Sequence, residues 1–191
     1  MIETLYHEGF HAHQSEHFTT VPDARPAMGS TLDAVRLQGG TPAEYEALAE
    51  AERRALSAAL AAPGEDSLRA VLRGYLSTRA RRMALAPEIQ RVERWEEQYE
   101  GTAQYVGQLC AASAVGTGRE HARARVRMRL SQPSPALQYG RPSKWRAYGV
   151  GAALALLLDD LGARDWQRAV TAGTALDALL LEQLYAAEPG S

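Results

Sequence analysis

Residues 7–11 read His7-Glu8-Gly9-Phe10-His11, an H-E-x-x-H pattern. On a helix the two imidazoles are one turn apart on one face, with Cβ atoms roughly 5–6 Å from each other. That spacing lets both rings grip one metal ion. Glu8 is rotated by about 100° from His7, so its carboxylate flanks the site without having to bind the metal. From there it can hydrogen-bond a metal-bound water and take its proton, which is the chemistry of zinc-dependent hydrolysis. A second pattern follows at once: His13-Gln14-Ser15-Glu16-His17 reads H-x-x-E-H, the inverted signature. His13 lies about 240° around the helix from His7, so the two pairs face different ways. No further ligand motif accompanies the second pair, and the first is the stronger candidate.

Two histidines leave a catalytic zinc short of one protein ligand, the remaining position being kept for water. The best source is Glu100-Gly101-Thr102-Ala103-Gln104-Tyr105. With this segment the chain resembles the gluzincin metallopeptidases, the thermolysin-like clan. In these, H-E-x-x-H is followed by a second helix bearing a glutamate, often as E-G-x-A-x-Y. The resemblance implies that His7, His11 and Glu100 bind Zn2+ and that Glu8 is the general base. It implies that small residues after the glutamate let two helices approach closely enough to share a metal. It makes Gln104 a candidate for orienting a ligating histidine, with Tyr99 behind it. It also calls for a donor to the oxyanion of the tetrahedral intermediate, for which Tyr148 is the first choice and Tyr139 and His121 follow. Gluzincins carry a β-sheet upstream of the first motif, whose edge strand pairs with the peptide. Only six residues precede His7, so the resemblance implies a fragment, a late start or a reduced, all-helical relative.

Composition sets the frame for these residues. The 191 residues are 46% hydrophobic and 23% charged, values of an ordinary globular chain with a substantial core. A net charge of −2 argues against a broad nucleic-acid surface. Cys110 is the only cysteine, which excludes an internal disulfide and a thiolate metal site. The first residues include Glu3, His7 and Glu8 where a signal peptide needs an apolar run. The longest apolar run, Val150 to Leu158, is too short for a bilayer and ends at Asp159-Asp160. The expectation is a cytoplasmic protein with a peptide or protein substrate and no membrane partner.

The elements that must position the site read as helices. β-branched residues are few, so propensity favours an all-α chain forming a single helical domain over residues 1–191. Its H-E-x-x-H helix, over 2–17, is expected to pack against the long helix that carries Glu100. Residues 18–42 read as a long irregular segment, with 32–37 a short helix or strand. Thr41, Pro42 and Glu44 form a capping box for a helix to about Ala62. Glu44, Glu46, Glu50, Glu52, Arg53 and Arg54 on it read as a solvated charged face. Asp66 or Ser67 caps the next helix, whose Arg79, Arg81 and Arg82 suit the dipole at its end. A long helix runs from Glu88 to about Val115. Residues 119–131 are ambiguous: from Ala122 to Leu130 arginine alternates with apolar residues, as in an edge strand, but individual propensities favour helix, which is the reading taken. Ser143 caps a helix from Lys144 to Leu161, and a final amphipathic helix covers 164–186.

Two other functions compete with hydrolysis. One is a catalytically weak or inactive helical interaction module that retains a zinc site. The intact Glu8 opposes it, since a structural site has no use for a base and is usually closed by four protein ligands. The other is a metal-free helical regulator.

Overall fold

The computed structural model describes residues 2–19 and 30–186. Among these the fold is all-α: α1 (Ile2–His17), α2 (Ser30–Leu37), α3 (Pro42–Ala59), α4 (Glu65–Ala84), α5 (Gln90–Glu96), α6 (Thr102–Ala114), α7 (Gly118–Ser131), α8 (Lys144–Asp160), α9 (Trp166–Thr171) and α10 (Leu176–Ala186). The only strands among the described residues are the two-residue pair β1 (Leu137–Gln138) and β2 (Arg141–Pro142), antiparallel around Tyr139 and Gly140. A 3-10 turn, Pro87–Ile89, leads into α5, and a π-helical turn, Glu97–Gly101, joins α5 to α6. The part of the 18–42 segment between residues 20 and 29 lies outside the described residues, and its 32–37 portion is helical.

Helix α8 is the axis of the core. From Arg146 to Leu158 only Tyr148 is not fully buried. Leu56 of α3, Leu72 and Tyr75 of α4, Val126 and Leu130 of α7, and Leu180 and Leu184 of α10 pack around it. Helix α8 therefore reads as apolar all round, as a helix must when it has neighbours on every side. Around it the local signals hold in most places. Thr41 Oγ1 accepts from the Glu44 N–H at 3.1 Å, and Pro42 opens α3. The 119–131 stretch is helix, its Ala122, Val126 and Leu130 facing the core and its arginines outward. Two boundaries differ. Helix α4 begins one residue after Gly64, so Asp66 and Ser67 lie in its first turn. The 164–186 segment breaks between α9 and α10 at Gly173, whose φ of +100° suits glycine.

Several charges expected to face water are inside. Arg82, fully buried, donates from Nε to Glu52 (2.5 Å) and from Nη1 to Tyr45 Oη (2.6 Å) and Glu93 (2.8 Å). Arg79 holds Glu97 with both Nη atoms (3.0 and 2.6 Å) and Asp177 with Nε (2.8 Å). Arg146 reaches Glu93 and Glu52. One ion network thus ties α3, α4, α5, the π turn, α8 and α10. Burial alone would push the Glu93 carboxyl up, but Arg146, Arg82 and Arg79 outweigh it and hold the group at about 2. The expected solvated face of α3 is corrected at Glu52 and Arg53, both buried. Charges spaced along a helix read the same in sequence whether they meet water or each other.

Candidate metal centre

Helices α1 and α6 lie antiparallel. Glu3 and His7 meet Gly107, while Gln14 reaches back to Tyr99 and Thr102. Close approach depends on glycine at two contacts. A Cβ on Gly107 would sit 3.0 Å from the Glu3 carbonyl and 3.3 Å from His7 Cβ. A Cβ on Gly101 would sit 2.4 Å from Gly151 Cα, so α8 presses directly on the π turn. The small residue directly after Glu100 therefore admits α8 and not α1, and the residue that lets α1 approach is Gly107, further along α6.

Glu100 lies in the π turn itself, and single π turns inside α-helices are common at functional sites. Its Oε2 is 3.6 Å from His7 Nε2 and 3.3 Å from His11 Nε2, and the two imidazole Nε2 atoms are 3.0 Å apart. The three donor atoms lie within 4.8 Å of one another, a group that could hold a metal ion. His7 and Glu100 are buried and His11 is half-buried. Glu8, between the two histidines, is exposed.

The hydrogen bonds around His11 fix its protonation pattern. Gln14 Nε2 donates to the Tyr99 carbonyl (2.8 Å) and to Thr102 Oγ1 (2.9 Å), whose own proton goes to the Gln98 carbonyl. That orients the Gln14 amide, leaving Oε1 to face His11 Nδ1 at 2.6 Å. An amide oxygen only accepts, so Nδ1 carries a proton, which in the neutral tautomer leaves the lone pair on Nε2. That lone pair points at a carboxylate and a second imidazole nitrogen. Glu100 Oε2 is buried with no hydrogen-bond partner, and such an orphan is costly. Two electron-rich atoms aimed at one point, one of them a buried carboxylate oxygen, fit a cation there.

The other Glu100 oxygen is engaged. Lys144 Nζ lies 2.6 Å from Oε1, and the Tyr148 hydroxyl faces the same carboxylate. Burial pushes the Glu100 carboxyl up; close contacts with His7, Lys144 and Tyr148 outweigh it and hold the group at about 2. Burial and the neighbouring Glu100 push the Tyr148 phenol well up, so it stays a proton donor. Its ring stacks on His7 with centroids 5.4 Å apart, and the Arg129 guanidinium lies over the Tyr148 ring, 5.2 Å from its centroid. Tyr99 stacks on His11 at 4.5 Å.

The structure thus brings together His7, His11, Glu100, Tyr99 and Tyr148. Gln104 goes elsewhere: its Nε2 donates to Glu3 Oε1 at 2.7 Å and its Oε1 accepts from Arg129 at 3.3 Å. The antiparallel pairing puts Gln104 level with the start of α1, and Gln14 orients His11 instead. Tyr139 stands at the exposed hairpin tip, and His121 is exposed on α7. Sequence reasoning missed Gln14 and Lys144, yet both carry a spacing signal. Gln14 is three residues beyond His11, and Lys144, the only lysine, is four before Tyr148. His13 and His17 meet each other with centroids 4.4 Å apart and ring planes tilted by 55° on the exposed side of α1, apart from the three-donor group. No helix among the described residues is long and apolar enough to cross a membrane. Comparison with protein-family models, curated proteins and solved structures finds no match to this chain.

Proposed function

We propose that this chain is a zinc-dependent hydrolase of peptide bonds, of gluzincin-like chemistry, with His7, His11 and Glu100 as the protein ligands. The observation that carries this reading is the meeting of two imidazole nitrogens and one buried carboxylate oxygen, with His11 locked by Gln14 into the tautomer a ligand needs. When bound, zinc supplies Lewis acidity and lowers the pKa of a coordinated water to about 7. The remaining chemistry falls to the side chains. Glu8, exposed beside the two histidines, accepts a proton from the attacking water and delivers it to the leaving amine. Tyr148, held protonated against Glu100, donates a hydrogen bond to the oxygen on which negative charge develops. Lys144 neutralises the outer oxygen of Glu100, leaving the inner one to the metal.

The test is metal analysis together with cleavage of a broad peptide library with and without a chelator. One zinc per chain and chelator-sensitive cleavage are expected. Glu8→Gln should retain zinc and lose cleavage, and His11→Ala should lose zinc while His17→Ala keeps it. A second reading, an interaction module that keeps the metal and does not turn over, draws on Glu8, whose exposed carboxylate has no hydrogen-bond partner among the described residues to aim it. Zinc-loaded full-length protein that cleaves no peptide would establish that reading.

A further inference from the structure

A cleft of about 580 Å³ opens on the far side of Tyr99 from His11, within the size range of small-ligand sites. Its floor is one ridge of α5 and the π turn, Arg91, Arg94, Trp95 and Gln98, and it faces Phe18 and Val170. The aromatic rings form a continuous path from the candidate metal centre. His11 stacks on Tyr99 at 4.5 Å, and Tyr99 stacks on Trp95 at 5.3 Å with planes 13° apart. Among the described residues the cleft wall contains two guanidinium groups and no carboxylate. Arg94 is held from one edge, its Nε and Nη2 both on Asp177 Oδ2 at 3.0 and 2.9 Å, an arrangement that uses neither hydrogen of Nη1. Asp177 is itself buried and shared with Arg79. Arg91 is exposed, and no ion pair or hydrogen bond engages it among the described residues.

We infer that this cleft binds a carboxylate carried next to a bulky apolar group, the carboxylate on Arg91 and Arg94 and the apolar group on Trp95. The unpaired Arg91 guanidinium, with the free Nη1 of the Asp177-paired Arg94 beside it, favours an anion of carboxylate geometry, and the indole face beside them offers a flat apolar surface. Resting on the peptidase reading above, this names the substrate class: peptides with a carboxylate and an aromatic or large aliphatic side chain beside it. The carboxylate is that of a chain terminus or of an acidic side chain.

The test uses metal-free, full-length protein in chelator, so that binding is read without turnover. A short peptide ending in phenylalanine with a free carboxylate is titrated while tryptophan fluorescence is followed, with calorimetry as a second readout. Saturable quenching is expected, lost in Trp95→Phe. Amidation of the peptide, or Arg91→Ala, should weaken binding by about tenfold or more, the worth of a charge-assisted hydrogen bond. Arg91 is exposed, so the variant keeps its fold. An amidated peptide with an internal glutamate that binds as tightly as the free acid supports the site and identifies the source as a side chain. Equal binding of the free acid and the amide, or no binding of either, overturns the inference. Failure here leaves zinc content and library cleavage untouched, so it is distinguishable from failure of the hydrolase reading.

Discussion

Glu100→Gln isolates the electrostatics of the candidate centre without any metal present. The amide is nearly isosteric with a protonated carboxyl, so it mimics the state Glu100 adopts in acid. In the folded chain Glu100 ionises at about 2 against an ordinary 4.5. The folded value is the lower one, so the unfolded chain binds more protons between the two, and stability rises with pH there. The contribution is complete above about 4.5 and is lost as pH falls toward 2. Its full size is about 3 kcal/mol, and roughly 2 kcal/mol of that is gone by pH 3. Lys144, left without its partner, has a side chain 57% exposed and is rehydrated at little cost. The assay is urea unfolding of wild type and variant, both in chelator, at pH 5 and pH 3. Both values lie below the ordinary imidazole range of about 6.5. The wild type should lead by about 3 kcal/mol at pH 5 and by only about 1 kcal/mol at pH 3. A gap that stays constant between the two, or a variant more stable than wild type at pH 5, refutes the account of Glu100 as a carboxylate anchored by cationic and donor neighbours.

Other substitutions probe separate parts of the argument. Gln14→Leu removes the acceptor that fixes His11, and zinc affinity should fall about 10–100-fold in a competition assay with a chelating dye. Gly101→Ala would place a Cβ 2.4 Å from Gly151 Cα, where only backbone can yield. Thermal unfolding should show a loss of about 3 kcal/mol or more, accompanied by weaker zinc uptake as Glu100 moves. Arg82→Met leaves the buried Glu52 and Glu93 short of one of the two guanidiniums they share, Arg146 remaining; about 3 kcal/mol should be lost, which scanning calorimetry would record as a drop in Tm of roughly 10 °C.

The helices were legible where local chemistry decides them. The N-cap Thr41 with Pro42 after it names the start of α3 directly. The arginine alternation of α7 names its structure as well, once propensity is given weight over period. The two histidines and Glu100 were legible for a similar reason, since each sits in a short pattern whose spacing has a mechanism. What the sequence hid is tertiary. Glu52, Arg79 and Arg82 follow the same spacing as a solvated face, and only their convergence with Arg146 and Asp177 from other helices puts them inside. Gln104 was assigned from its distance to Glu100 along one helix. The antiparallel partner decides which α1 residue it meets, and that residue is Glu3. Lys144 is separated from Glu100 by 43 intervening positions, and no local pattern connects them.

The π turn explains why one helix can serve all of these tasks. Before it and at its first residue, Glu93 and Glu97 turn inward to the arginines of the buried network, while Arg91, Arg94 and Trp95 line the cleft. After it, Gly107 lies against α1. One extra residue in a turn rotates everything beyond it by about 100° relative to an unbroken helix, which is enough to change the neighbour a face meets. Glu97 and Glu100 are three residues apart, yet one is clamped by Arg79 in the core and the other faces two imidazoles at the end of the aromatic path. The clamp on Glu97 and the glycine contact between Gly101 and Gly151 bracket Glu100 from both sides in sequence. The carboxylate is therefore flanked in sequence by buried groups that other helices hold in place.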